Sequence, residues 1–478
     1  MHVKSFFRRT RKVPETASQL PEASDEQASV IEQTLADFRL SGRIVKADRG
    51  PSCVRYALEL APGVNVARLQ AIQDNLALAL KTRSVRLEVP IPGTDYVGIE
   101  VPIDDPRIVS FHEVMGSSAM ENNSSPTLFA VGQDVTNQPV VCDLADMPHL
   151  LVAGRPGSGK SVFIHTLICS ILRRATPQQV RLLLIDPKLT ELSCYNGVPH
   201  LLCDTICDSG KAILALSWVV QEMEARYRLL WENGKHSIRE YNASAFENTL
   251  PYIVVIIDEF SDLMMTGRQQ AEALIQQIAA KARAAGIHLV LATQHPSVNV
   301  VTGIIRCNFP SRVSFALSNE IDSRTLLQCK GAERLLGRGD MLYMPRSEFH
   351  PIRVQGCHIS PDDIHAVIQS VKEANLAPCD TAFIDFSAMT DTAPEASGET
   401  LSDTPPTADL LRAAVDVACE AQQISTSMLR RRLNIGYARA GRLLDELERM
   451  GVIGAAEDTK PRPVLLSREE CEKLLQNE

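Results

Sequence analysis

Residues Gly154, Arg155, Pro156, Gly157, Ser158, Gly159, Lys160 and Ser161 read GRPGSGKS, the spacing Gly-x4-Gly-Lys-Ser/Thr. Glycines let successive backbone N–H groups close around phosphate oxygens, and a helix starting just after them aims its positive dipole end at the same charges. Lys160 is expected to reach the β- and γ-phosphates and the Ser161 hydroxyl to ligand Mg2+. A short apolar strand, HLLVA, precedes the loop and an amphipathic SVFIHTLI follows it. The chemistry implied is the binding of Mg2+ and ATP.

Two further stretches complete a hydrolytic set. PYIVVIIDEFSDLMM reads as a buried strand that delivers Asp258 and Glu259 to the edge of a sheet. Asp258 is expected to hold Mg2+ through its water shell, and Glu259 to polarise the water that attacks the γ-phosphate. IHLVLATQHPS ends a third strand in Thr293 and Gln294, whose amide is placed to sense the γ-phosphate. Arg283, Arg312 and Arg324 flank this region, and any of them is a candidate to reach a neighbouring subunit's nucleotide and neutralise transition-state charge.

The elements that must position these groups follow from pattern. Leu150–Ala153, Leu182–Ile185, Ile253–Ile257, Leu289–Ala292 and Val313–Leu317 are strand-like apolar runs, each followed by a helical stretch. Such alternation predicts an α/β core, a parallel sheet with helices on both faces, over residues 127–372. Ligands then sit at the carboxyl ends of the strands. Residues 28–115 predict a small α+β domain, with helices over Ala28–Leu40 and Val66–Leu80. Residues 1–27 read as a disordered basic and polar tail, and 373–406 as an acidic flexible linker, since no basic residue falls between Lys372 and Arg412.

Residues 407–478 predict three helices (Leu410–Ala418, Thr426–Leu433 and Ala438–Met450) and a hairpin, which is winged-helix architecture. Arg430, Arg431, Arg432, Arg439 and Arg442 fall in one stretch without an acid, as phosphate contact requires. The third helix is placed to enter a major groove, with Tyr437 and Arg439 in its first turn near base edges.

Composition narrows the setting. The chain has 478 residues, 45% hydrophobic and 22% charged, with a formal net charge of −9, which excludes a protein coated in nucleic acid but not a local basic channel. No apolar run approaches the roughly 18 residues that span a bilayer. The basic first dozen residues are followed by no apolar stretch, so they are no secretory signal. Twelve scattered cysteines with no CxxC pair point to reduced thiols in a cytosol. His200, Cys203 and Cys207 lack an evident fourth ligand for structural zinc.

The stretches DMPHLLVAGRPGSGKSV, LLLIDPKLTELSCYNGVPHLL, LPYIVVIIDEFSDLMM, KARAAGIHLVLATQHPSVNVVTGIIRCNFPSRVSFALSNEIDSRTLL and GAERLLGRGDMLY resemble the motor of the FtsK/SpoIIIE double-stranded DNA translocases. GPSCVRYALELAPGVNVARL and VPIPGTDYVGIEVP are similar to the small domain that precedes that motor, and LRRRLNIGYARAGRLLDELERMGVIG to the family's winged-helix module. The resemblance implies a RecA-like ATPase assembled as a hexameric ring that pumps duplex DNA in chromosome, plasmid or mobile-element transfer. It places Lys160, Ser161, Asp258 and Glu259 on the family's nucleotide positions, and points to Asn434, Arg439 and Arg442 for reading short orienting DNA sequences. A site-specific recombinase or a membrane-anchored division protein is the implied partner. His295 and Asn299 depart from the family's arginine and aspartate, which bears on signalling between subunits. Cell-division members carry N-terminal membrane spans that have no counterpart here. Two related roles remain open, a secretion-system ATPase moving protein and a conjugative coupling protein; the arginine-rich module speaks against the first and the lack of a span against the second.

Overall fold

A period-two pattern of apolar residues builds the first sheet. The computed structural model describes residues 23–244, 249–348, 350–374, 408–421, 423–433, 437–454, 462–466 and 470. The chain divides into two compact units, Met1–Ala388 and Met389–Glu478. In the first, α1 (Ala23–Asp37) is followed by β1 (Gly42–Arg49), β2 (Cys53–Leu60), α2 (Val66–Ala71), α3 (Gln73–Ala79), β3 (Arg86–Glu88) and β4 (Val97–Pro102). The strands pair antiparallel in the order β1-β2-β4-β3. Ile31 and Leu35 of α1 and Leu69 and Leu76 of α2 and α3 close over Tyr56, Leu58 and Ile99 in one core. Each such side chain contributes about 1.5–3 kcal/mol by leaving water. The helix expected over Val66–Leu80 breaks in two at Ile72 (φ −98°, ψ 9°), and α1 stops short of Leu40 because Arg39 turns left-handed at φ 55°.

Next come α4 (Phe111–Met115), α5 (Ser118–Glu121), β5 (Leu128–Asp134), β6 (Pro139–Asp143), β7 (Leu150–Ala153), α6 (Lys160–Arg174), β8 (Val180–Ile185), α7 (Ser209–Glu232) and α8 (Ile238–Ser244). They are followed by β9 (Tyr252–Asp258), α9 (Phe260–Thr266), α10 (Arg268–Lys281), β10 (Ile287–Thr293), α11 (Gly303–Asn308), β11 (Ser311–Phe315), α12 (Glu320–Leu327), β12 (Asp340–Met344), β13 (Ile352–Gly356) and α13 (Pro361–Glu373). Nine strands form one sheet in the order β6-β5-β13-β12-β11-β7-β10-β9-β8.

The strands β11, β7, β10, β9 and β8 are parallel, as the alternation of strands and helices predicts. Their side chains point alternately to two cores: Leu150 and Val152 pack with Phe163 and Leu167 of α6, Leu151 and Ala153 with the buried residues of α7, α9 and α10. Helices therefore cover both faces, and every residue of β7, β8 and β10 is buried. The four remaining strands run antiparallel, so the sheet is mixed rather than wholly parallel. No helix separates β5 from β6 or β12 from β13, and a short connection permits only antiparallel pairing.

Four charges, three of them buried, join the small domain to the motor. Arg353 on β13 donates to both oxygens of Asp340, at 2.9 and 2.8 Å, and to Glu100 of β4 at 3.0 Å. Glu100 also accepts from Arg86 of β3 at 2.9 Å. Two cations thus balance two anions, in a site where unpaired charge is expensive.

In the second unit α14 (Ala408–Ala421), β14 (Gln423–Ile424), α15 (Thr426–Leu433), α16 (Tyr437–Arg449) and β15 (Arg462–Pro463) surround a core of Ala414, Val415, Leu429, Leu443, Leu447 and Val452. Strand β15 pairs antiparallel with β14, and Ile453 bridges Val464. Three helices with this small sheet make a winged helix. Of the tail expected over 1–27 and the linker expected over 373–406, residues 1–22 and 375–406 lie outside the described residues, as does Asn434; Ala23–Gln27 belong instead to α1 and Glu373 to α13. Among the described residues no helix is long and apolar enough to cross a membrane.

Candidate functional site at the carboxyl edge of the parallel strands

Strand β7 ends at Ala153, and the chain turns through Gly154–Gly159 before α6 begins at Lys160. The turn is fastened on three sides: Gly154 N–H donates to Thr293 O at 3.2 Å, Arg155 N–H to Ala316 O at 2.9 Å, and Ser158 O accepts from Gly339 N–H at 2.8 Å. Two glycines are obligatory. A Cβ at Gly154 would lie 2.6 Å from Phe315 Cβ, and Gly159 combines φ 116° with a would-be Cβ only 2.8 Å from Gly339 N. The loop therefore leaves Arg155, Pro156 and Gly157 exposed at the N-terminus of a 15-residue helix. The hydroxyl of Ser158 is buried without a hydrogen-bond partner.

Lys160 is 4% exposed and hydrogen-bonds Asp258 Oδ1 at the end of β9. Burial pushes the Asp258 carboxyl above its ordinary value, Lys160 pulls it back, and the charges of Asp186 and Glu191 push it up again. Carboxylates that raise one another's proton affinity suit a cation or a cationic partner between them. Asp186 ends β8 and accepts from the N–H groups of Lys188, Glu191 and Leu192 at 3.1, 3.0 and 3.1 Å, which folds the following loop back toward the nucleotide turn. Glu191 is held below the usual carboxylate range, first by its hydrogen bond from His165 and then by Ser161 and Lys160. No group of three metal-type ligands in binding arrangement exists among the described residues. Mg2+ fits such a place when one hydroxyl and one carboxylate hold it and phosphate oxygens and water supply the rest.

Glu259 is 2% exposed and sits in the left-handed region (φ 83°, ψ 62°) as the cap of α9. Its Oε1 accepts from Ser261 Oγ at 2.5 Å, Thr293 Oγ1 at 2.6 Å and Gln294 N–H at 3.2 Å; Oε2 lies 3.1 Å from the same N–H and 3.9 Å from Lys188 Nζ. Gln294 thus meets the carboxylate through its backbone N–H.

The two arginines differ sharply. Arg312 is 6% exposed and donates to the carbonyls of Phe309, Leu326 and Arg306, so its guanidinium is spent inside its own subunit. This corrects its expected role in trans. Arg324 is exposed on α12 and donates to Glu320, one turn earlier on the same helix, at 2.8 Å. His200 donates to Ala175 O at 2.9 Å and Cys203 lies in the apolar core, its thiol pushed up to about 12 by burial; neither is arranged to hold metal.

Helix α15 carries Arg430, Arg431 and Arg432, and α16 carries Tyr437, Arg439 and Arg442. Of these side chains only that of Arg432 is described, and it is exposed.

Sequence reasoning passed over Asp186, Lys188, Glu191, Ser261 and the hydroxyl of Thr293. One signal was available: LLLID has the same form as VVIID, an apolar strand ending in a carboxylate.

Comparison with known proteins agrees with this geometry. The FtsK alpha domain matches residues 10–103, the FtsK/SpoIIIE family residues 110–298 and the FtsK gamma domain residues 406–467. The chain is 45% identical over 451 residues to the DNA translocase FtsK of Caldanaerobacter subterraneus subsp. tengcongensis, covering 94% of this chain and 62% of that protein. It is 43% identical over 458 residues to the DNA translocase SpoIIIE of Bacillus subtilis, covering 94% and 57%. The chain therefore spans about three-fifths of the length of the curated relatives it matches. Among solved structures, the pCW3 conjugation coupling protein TcpA in monomer form with ATPγS shares the fold, with a TM-score of 0.52 and 21% identity over 73% of this chain and all of that one. With three family domains matched in order along its length, the chain belongs to the FtsK/SpoIIIE family.

Proposed function

We propose that this chain is an ATP-driven motor that moves along double-stranded DNA, working as a ring of identical subunits, a hexamer, on the cytoplasmic side of the cell. The observation that carries the reading is the nucleotide turn itself: a buried Lys160 against Asp258, with Glu259 on the next residue, in one chain with a winged helix bearing an acid-free arginine run. The relatives are named DNA translocases, which supports the same substrate.

The backbone of Gly154–Gly159 binds the phosphate chain and Lys160 leaves Asp258 to neutralise the β- and γ-phosphates. Ser161 and Asp258 would hold Mg2+, which would supply charge neutralisation at the phosphates. Glu259 orients and polarises the attacking water. Arg324, exposed and on the outside of α12, is the arginine available to a neighbouring subunit. Movement is read by phosphate contacts, so it tolerates any sequence and weakens with salt. The winged helix sets direction through Arg430, Arg431, Arg432, Asn434, Tyr437, Arg439 and Arg442.

The test is ATP turnover by the whole chain with and without long linear duplex DNA. Duplex DNA is expected to stimulate turnover; Lys160→Ala is expected to abolish it, and Glu259→Gln to stop turnover while ATP still binds. Turnover indifferent to DNA would contradict the reading and favour a protein substrate.

A further inference from the structure

One oxygen of Glu259 is fully engaged. A carboxylate activates water by offering a free lone pair; Oε1 already accepts from two hydroxyls and a backbone N–H, which leaves Oε2, 3.1 Å from the same N–H, to offer one. The side chain is 2% exposed, so no bulk water competes for these positions. Its backbone lies at φ 83°, a strained conformation for a residue with a side chain, which persists only where the surroundings over-determine it. Here the surroundings are those same donors.

One donor leads outward. Thr293 Oγ1 donates to Glu259 and accepts from His295 N–H at 3.1 Å, and the adjacent Gln294 N–H donates to Glu259 as well. Thr293 and Gln294 are thus both tied to the segment that follows β10, where His295, Ser297, Val298 and Asn299 are exposed and Val298 is 58% so. A displacement of that segment would pull on two of the bonds that hold Glu259, whereas Ser261, on α9, would be left in place. The exposed segment and the base are therefore joined by one hydroxyl and one backbone N–H.

We propose that Thr293, with Ser261, is a latch that keeps Glu259 from activating water until the segment from His295 to Asn299 is displaced by bound duplex DNA. This rests on the function proposed above, and it assigns Thr293 a positioning role in which DNA binding is converted into hydrolysis. Removing the hydroxyl should leave Glu259 free to act without DNA. Thr293 is a buried strand residue, and valine reproduces its shape without the donor.

Turnover of the full chain is measured for Thr293→Val, Thr293→Ser and Ser261→Ala, each with and without linear duplex DNA, with thermal unfolding followed in parallel. Thr293→Val is expected to raise the rate without DNA roughly 10- to 150-fold and to lower the stimulation ratio by the same factor, as the loss of one charged hydrogen bond implies. Thr293→Ser, which keeps the hydroxyl, should restore the wild-type ratio, and Ser261→Ala should act in the direction of Thr293→Val. A Thr293→Val enzyme whose DNA-free rate is unchanged or reduced overturns the latch, since the hydroxyl would then only be positioning Glu259 for catalysis. If Thr293→Val fails to fold, the same reading falls on Ser261→Ala alone. A wild-type chain that DNA does not stimulate at all refutes the proposed function instead, so the two failures are separable.

Discussion

Replacing Glu100 by glutamine probes the seam between the small domain and the motor. The Glu100 carboxylate is 1% exposed and lies 2.9 Å from Arg86 and 3.0 Å from Arg353. Removing its charge leaves the buried Arg353 with Asp340 alone, which it already grips at 2.8 Å, and the partly buried Arg86 with the charge of Glu88. Breaking a buried, hydrogen-bonded pair in this way costs about 3–5 kcal/mol. The assay is urea unfolding at neutral pH, and the expected loss of stability falls in that range. A pH series sharpens it. Burial pushes the Glu100 carboxyl up, but Arg86 and Arg353 outweigh burial and hold it below its ordinary value of 4.5. Its contribution is therefore fully present above pH 4.5 and is lost as pH falls through the depressed folded value. The gap between wild type and Glu100→Gln should accordingly be constant near neutrality and shrink in acid below that point. In Glu100→Gln/Arg353→Met the two losses should be less than additive, because the residues share one network. A neutral-pH loss under about 1 kcal/mol, or a gap that does not change with acid, would refute the reasoning.

Three other outcomes are expected. Gly154→Ala should abolish nucleotide binding measured by equilibrium titration and lower stability by about 1–3 kcal/mol, since its Cβ would lie 2.5 Å from Ser158 Oγ and 2.6 Å from Phe315 Cβ. Arg312→Ala should destabilise the motor, because three main-chain carbonyls lose their donor, while Arg324→Ala should leave unfolding unchanged and reduce turnover only in the assembled protein; mixing Arg324→Ala with Lys160→Ala subunits and recovering turnover is the check. Changing Arg430, Arg431 and Arg432 together to alanine should lower the slope of log affinity against log salt for duplex DNA by about 2–3, if each neutralises one phosphate.

What the residues alone made legible was whatever depends on short-range pattern. The nucleotide turn could be found because Gly154, Gly159, Lys160 and Ser161 stand at fixed offsets between a strand and a helix. Asp258 and Glu259 could be found because they end an unbroken apolar run. The five parallel strands announced themselves as apolar segments separated by helices. The runs LFAVGQD, PVVCD, DMLYM and IRVQG did not, and they are the four strands that turn a parallel sheet into a mixed one. The break at Ile72 was hidden because both halves keep helical spacing. Side-chain direction was hidden as well. Arg312 and Arg324 look alike in sequence, yet one is buried among carbonyls and the other is exposed. The contacts of Glu259 with the Gln294 N–H and the Thr293 hydroxyl carry no sequence signal of their own. Asp340, Arg353, Glu100 and Arg86 come from strands far apart in the chain, and only the folded sheets bring them together.

The central claim is that hydrolysis at Lys160, Asp258 and Glu259 is spent on motion along a double helix. The most direct measurement is displacement of a third strand annealed as a triplex to a long linear duplex, followed over time with ATP present. Wild type is expected to strip the third strand at a rate that rises with ATP, and Glu259→Gln to leave it in place despite binding nucleotide. A wild-type protein that hydrolyses ATP on this duplex and leaves the triplex intact would contradict the account.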